Sequence, residues 1–295
     1  MKPIQGRSLH LVFVRLAVLG LCSIAAPALA QALQTGFEPP DYQGSPDGIV
    51  VTGQQDWYLP NVPGSTDQYV FTYDGNALGL PTNASGELQF LGAQVMSSDL
   101  ARAQHDFPWS AADVWTASYD LAASFNGIAP ASNNIGSVSL QDSTVARYFI
   151  ALNVWVPGFE GTQWIAGYFV FDASGGGPNG VVAGPEWQNL AVNHWYRQST
   201  TFDFVSNTIT SVSITDLETG DTATFQPTDW YLAGGAGGGG LPLPTAVRFF
   251  VGGDDPGNIQ GFDNAIASPG GASAPNGEKT SRPLSLPLTP GAVTQ

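Results

Sequence analysis

The sequence predicts an all-β protein, an antiparallel β-sandwich. Three observations carry that expectation: segments alternating apolar and polar residues at period two, turn dipeptides between them, and no long helical period. Val114 to Leu121 alternates in this way, as do Arg147 to Val156, Ile165 to Phe171, Thr200 to Val205 and Ile209 to Thr215. The turns are Asp74-Gly75, Asn126-Gly127, Pro157-Gly158, Asn179-Gly180 and Thr219-Gly220. Ser98 to Gln104 fits a short helix and a strand equally well. The glycine runs Ser174 to Gly177 and Gly234 to Gly240 fall among the strands and read as loops. Many short strands of this spacing suit a sandwich or barrel. Two immunoglobulin-sized units would need a central linker, so one domain over residues 31–268 is expected.

Composition narrows the function classes. The 295 residues include 24 acidic and nine basic side chains, three histidines and one cysteine, with 43% hydrophobic and 11% charged residues. A disordered chain would be poorer in apolar residues, and a nucleic-acid binder would carry more Lys and Arg. Residues 1–30 read as a secretion signal cleaved near Ala30: Lys2, Arg7 and Arg15 precede the apolar Leu16 to Ala26, and Ala28-Leu29-Ala30 forms a cleavage site. The apolar stretch is short of the roughly 20 residues a span needs, so stable membrane insertion is not expected. Removal of the signal leaves six basic against 24 acidic residues, a net charge of −18, and takes the lone Cys22 with it. The mature chain then has no disulfide and no thiolate, in a periplasmic or extracellular setting. Residues 269–295, rich in Pro, Gly, Ser and Thr, read as a disordered tail.

Several segments together resemble the concanavalin A-like lectin/glucanase superfamily, in particular its laminin G-like bacterial secreted domains. They are Gly36-Phe37-Glu38, Gly53-Gln54-Gln55-Asp56-Trp57, Asp113-Val114-Trp115 and Arg147-Tyr148-Phe149-Ile150. The later ones are His194-Trp195-Tyr196-Arg197, Phe202-Asp203-Phe204 and Gly261-Phe262-Asp263-Asn264. The resemblance implies two curved antiparallel sheets (a jelly roll), first and last strands side by side, and a concave face open to glycans. It also implies a structural calcium ion bound by one carboxylate near the first strand and one on the last. Glu38 and Asp263 stand at those positions; the alternative is that Asp263-Asn264 only satisfies backbone groups at a strand end.

The chemistry-bearing residues point away from hydrolysis. Glucanases of the superfamily carry Glu-x-Asp-x-Glu or Glu-x-Asp-x-x-Glu on one strand face, and retaining chemistry needs the carboxyls about 5 Å apart. None of Glu38, Glu87, Glu160, Glu186, Glu218 and Glu278 begins such a run, and Asp216 with Glu218 sits at a hairpin tip. No catalytic residue is therefore expected for a glycosidase. A polysaccharide lyase on the same fold would instead use a base, an acid and a cation, for which His194, Tyr196 and Arg147 are the candidates. The two histidines beyond the signal, His105 and His194, lack zinc-ligand spacing. No Gly-x-Ser-x-Gly elbow occurs, and the glycine run at 234–240 lacks the Lys-Ser/Thr of a phosphate loop.

For a binding face, alternation along strand 147–156 places Arg147, Phe149, Ala151, Asn153 and Trp155 on one side, opposite the apolar Tyr148, Ile150, Leu152, Val154 and Val156. Arg147, Asn153 and Trp155, with Trp164 and Tyr168 on the next strand, are thus the expected glycan-binding residues. Rings stack on sugar C–H faces and amides bond hydroxyls; the alternative is that these aromatics fill a thick core. The expected function is a secreted non-catalytic carbohydrate-binding or extracellular structural module. The alternatives are a lyase and a matrix protein without a ligand.

Overall fold

The computed structural model describes residues 33–96, 100–107, 114–127, 134–141, 147–252 and 256–270. The expected signal and all of the Pro-rich tail beyond Gly270 lie outside the described residues. The strands form two layered sheets, as the alternation requires.

Among the described residues the larger sheet has nine strands. Its early members are β1 (Leu33–Thr35), β2 (Ile49–Val50), β4 (Tyr69–Thr72) and β5 (Gln89–Gln94). The centre is β7 (Val114–Phe125), and the later members are β13 (Tyr196–Asp203), β14 (Thr208–Asp216), β15 (Thr222–Phe225) and β17 (Asn258–Pro269). Their order is β15-β14-β13-β7-β17-β5-β4-β2, and β1 pairs with β17, so the first and last described strands are neighbours. Strand β17 runs on to Pro269, opposite Trp115, one residue past the expected domain edge.

The smaller sheet has eight strands among the described residues: β3 (Ser65–Asp67), β6 (Leu100–Asp106), β8 (Asn134–Gln141), β9 (Arg147–Trp155), β10 (Gln163–Val170), β11 (Asn179–Val181), β12 (Leu190–Ala191) and β16 (Ala246–Val251). The order is β11-β10-β9-β8-β16-β6-β3, with β12 beside β10. All pairings are antiparallel except β3 with β6. Residues 100–104, which suited helix or strand equally, form β6.

Aromatic residues from facing strands meet between the sheets. Phe149 lies 5.0 Å from Phe202, Phe249 lies 4.8 Å from Phe262, and Trp164 lies 5.8 Å from Tyr196, ring centroid to centroid. A second apolar cluster lies on the opposite face of the larger sheet, where Phe71, Tyr73, Leu78, Leu80 and Phe90 pack on Ala122, Trp195 and Ile259. Thus β7 buries Leu121 in one core and Ala122 in the other.

The two glycine runs are loops, and they pack on each other. A Cβ at Gly235 would come within 2.4 Å of the Gly175 nitrogen. Gly237, Gly238 and Gly239 have φ of 70°, 76° and 53°, a left-handed backbone that a side chain disfavours. Asn207 Nδ2 ties this loop down by donating to the carbonyls of Leu232, Ala233 and Gly235.

Candidate functional site on the outer face of the smaller sheet

Residues directly opposite one another in antiparallel strands share a face, so register alone maps the outer surface of the smaller sheet. One row crosses five strands as Gln104, Arg248, Ser139, Ile150 and Phe169. The next crosses as Arg102, Phe250, Ser137, Leu152 and Gly167. At about 4.8 Å between strands, each row spans roughly 19 Å. The face is polar over β6, β16 and β8 and apolar over β9 and β10.

Side-chain bonds fix the polar half. Arg248 Nε donates to Gln104 Oε1 at 2.8 Å, and Gln104 Nε2 donates onward to the Tyr58 hydroxyl. Tyr58 in turn donates to Asp106 at 2.6 Å. Burial first, and then the Asp106 carboxylate, push the Tyr58 hydroxyl up to about 12, so it stays protonated as a donor. Arg102 donates to Ser65 Oγ at 2.7 Å, and its guanidinium lies 5.2 Å over the Phe250 ring, a cation–π distance. Gln141 Nε2 donates to Ser139 Oγ at 2.7 Å.

A small depression of about 30 Å³ lies along these rows, lined by Arg102, Arg248, Gln141, Ile150, Phe169 and Phe250 with their neighbours. Gln141 Oε1 and Asn134 Oδ1 at its wall have no hydrogen-bond partner among the described residues. Among the described lining residues none is a carboxylate, a histidine or a tyrosine, so the lining offers donors, acceptors and apolar contact but no proton-transfer group.

The expected binding residues are elsewhere. Trp155, Trp164 and Asn153 are wholly buried and Tyr168 is 1% exposed; they point between the sheets, not into a groove. Trp155 Nε1 donates to Asn258 Oδ1 at 3.0 Å, Trp164 Nε1 to the Ala191 carbonyl, and the Tyr168 hydroxyl accepts from Trp187 Nε1. The face assignment of β9 is thereby inverted: Ile150 and Leu152, which looked like core, line the outer depression. The physical reason is that β9 lies between β8 and β10 and is buried on both sides, so polarity no longer marks the outer face. Arg147 stands opposite Gln141 in register; its side chain lies outside the described residues.

The lyase candidates do not assemble around the depression. His194 lies at the edge of the larger sheet, with Nε2 2.9 Å from Asp216 Oδ1 and Nδ1 3.3 Å from Glu218 Oε1. Burial raises the Asp216 carboxyl, but the Thr219 backbone N–H, His194 and the Glu218 backbone N–H more than offset this and hold it below its usual value. The Tyr196 hydroxyl, accepting from the Ala191 N–H, is raised by burial, which opposes its ionisation. Arg197 faces the outside of the larger sheet and grips the buried Asp120 through Nε at 2.6 Å and a terminal nitrogen at 2.9 Å.

Glu38 and Asp263 do not share a set of ligands either. Glu38 Oε1 accepts the backbone N–H groups of Leu88 and Gln89, both at 2.9 Å. Asp263 is fully buried and accepts from the Tyr73 hydroxyl at 2.7 Å and the Asn264 N–H at 2.8 Å. Burial, and next the neighbouring Glu87, hold the Asp263 carboxyl well above the usual range. Among the described residues no group of three or more His, Cys, Asp or Glu is placed to hold a metal ion. Glu38 and Asp263 thus each accept from their own separate donors.

No family model matches the sequence, and no curated protein matches it. The globular domain of T. cruzi calreticulin is 9% identical over 73% of this chain and 84% of its own, with a TM-score of 0.44. An alginate lyase from Chlorella virus is 12% identical over 75% of this chain and 100% of its own (TM-score 0.40). Peanut lectin is 14% identical over 68% and 96% (TM-score 0.37). No helix among the described residues is long and apolar enough to cross a membrane.

The residues that build the depression were not foreseen. Their signal is period-two polarity in Arg102-x-Gln104-x-Asp106 and Ser137-x-Ser139-x-Gln141, with Arg248 and Phe250 at the same spacing.

Proposed function

We propose that the chain is a secreted, non-catalytic carbohydrate-binding module that holds a glycan on the outer face of its smaller sheet. The observation that carries this reading is the lining of the depression. Fixed guanidinium and amide groups stand beside Phe250, Phe169 and Ile150, with no carboxylate, His or Tyr among the described lining residues. A sugar offers hydroxyls to the polar half and C–H faces to the apolar half.

The test is affinity electrophoresis through gels containing diverse polysaccharides. Wild-type protein is retarded by at least one of them, and Arg248→Ala or Gln141→Ala relieves the retardation. Uniform silence across acidic and neutral polysaccharides would refute the reading and favour a structural matrix role. A lyase would instead generate unsaturated uronates, whose ultraviolet absorbance is not expected here.

A further inference from the structure

We propose that Asn153 and Gln260 form a buried hydration site that joins the two sheets, with at least one internal water bridging their side-chain amides.

The chain places two amides where a sandwich core calls for apolar side chains. Asn153 lies on β9 and Gln260 on β17, and both are wholly buried. They are the two described residues whose side-chain nitrogen and oxygen are both buried and both without a hydrogen-bond partner. A buried polar group left unpaired is costly, and here the cost falls on four atoms at one place.

The two amides face each other across the core. Trp155 Nε1, on β9, donates to Asn258 Oδ1, on β17, at 3.0 Å. Side chains two residues apart on a strand share a face, so Asn153 and Gln260 form the next rung beside that bond. Gly136 marks where they meet. It stands opposite Asn153 in register, and a Cβ there would lie 2.1 Å from Gln260 Oε1. Opposite Cβ atoms are about 5 Å apart, which puts the Gln260 oxygen within about 7 Å of the Asn153 Cβ. Glycine at 136 is what lets the Gln260 amide reach across to β8.

Their neighbours cannot serve them. Asn153 stands between Gly136 and Ala166 in its row, and Gln260 between Ala93 and Ala123. None of these side chains carries a polar atom, and strand N–H and C=O groups point along the sheet into the ladders. Alanine and glycine also take far less volume than the Trp and Phe used elsewhere in this core. An amide donates through nitrogen and accepts through oxygen. A cation would serve only the oxygens and an anion only the nitrogens. Water serves both, makes about three hydrogen bonds in a protein interior, and is small enough for a site closed to solvent.

The first test is a crystal structure of the wild-type protein at atomic resolution. A water within hydrogen-bond distance of both amides is expected. Direct bonding of one amide to the other, or any arrangement in which no water touches both, would overturn the proposal. The second test is water deuteron relaxation dispersion, which counts long-lived internal waters in solution. Asn153→Leu combined with Gln260→Met removes all four polar atoms at similar volume. The double variant, shown to be folded by its thermal melt, is expected to lose at least one long-lived water. An undiminished count would equally overturn the site. The wild-type crystal structure decides the matter even if the double variant does not fold.

Discussion

Arg248 and Gln104 stand directly opposite each other on neighbouring strands, and Nε donates to Oε1 at 2.8 Å. Arg248 is 7% exposed and Gln104 is 2% exposed. The pair thus holds a positive charge at a fixed angle on the outer face of the smaller sheet. Arginine carries roughly 2 kcal/mol of rotamer entropy, and a partner that orders it beforehand lowers the cost of binding.

Trp155 tests the inverted assignment of β9. It is fully buried and bonded to Asn258, so Trp155→Ala removes core volume and orphans an amide oxygen. The expected cost is about 3–5 kcal/mol of stability, read by urea denaturation. Trp155→Phe should cost less and leave glycan affinity unchanged. A Trp155→Phe variant of native stability with lost affinity would return the indole to a sugar-binding role.

Asp263 gives the pH dependence. Its folded carboxyl is held above the usual range, so folding takes up a proton. Its contribution is fully present below about pH 3.9, the unfolded value, and is lost as pH rises through the folded one. Asp263→Asn mimics the neutral form and can still accept from Tyr73. The variant should melt at or above the wild-type Tm at pH 8 and show a shallower decline with pH. A variant that melts lower at every pH would mean that the ionised carboxylate is needed.

Calcium is the companion measurement. Glu38 and Asp263 are each satisfied by separate partners, so Tm should be the same in calcium as in chelator. A rise with calcium would show that the native state alone binds the ion, with the Asp263–Glu87 pair as the place to look.

The sandwich was legible in the sequence because it rests on period-two alternation and turn residues, both local properties. Strand 196–203 and strand 208–216 follow that pattern directly. The site was not legible, because alternation sorts residues into two faces without saying which face is inside. In β9 the Asn153 face looked wet and the Ile150 face looked dry; pairing with β8, β10 and the facing sheet reversed them. Arg102 and Arg248 are 146 positions apart in the chain, and only the β6–β16 register brings them to one surface. The Arg197–Asp120 clasp was hidden for the same reason, since its partners meet through β13 and β7.

The most direct test sets Arg248→Gln against Trp155→Phe in one polysaccharide titration, with Tm recorded for both. The outer-face account predicts at least tenfold weaker binding for Arg248→Gln at near-native Tm, and wild-type affinity at a lowered Tm for Trp155→Phe. The opposite pattern, full affinity in Arg248→Gln and lost affinity in a stable Trp155→Phe, would contradict it.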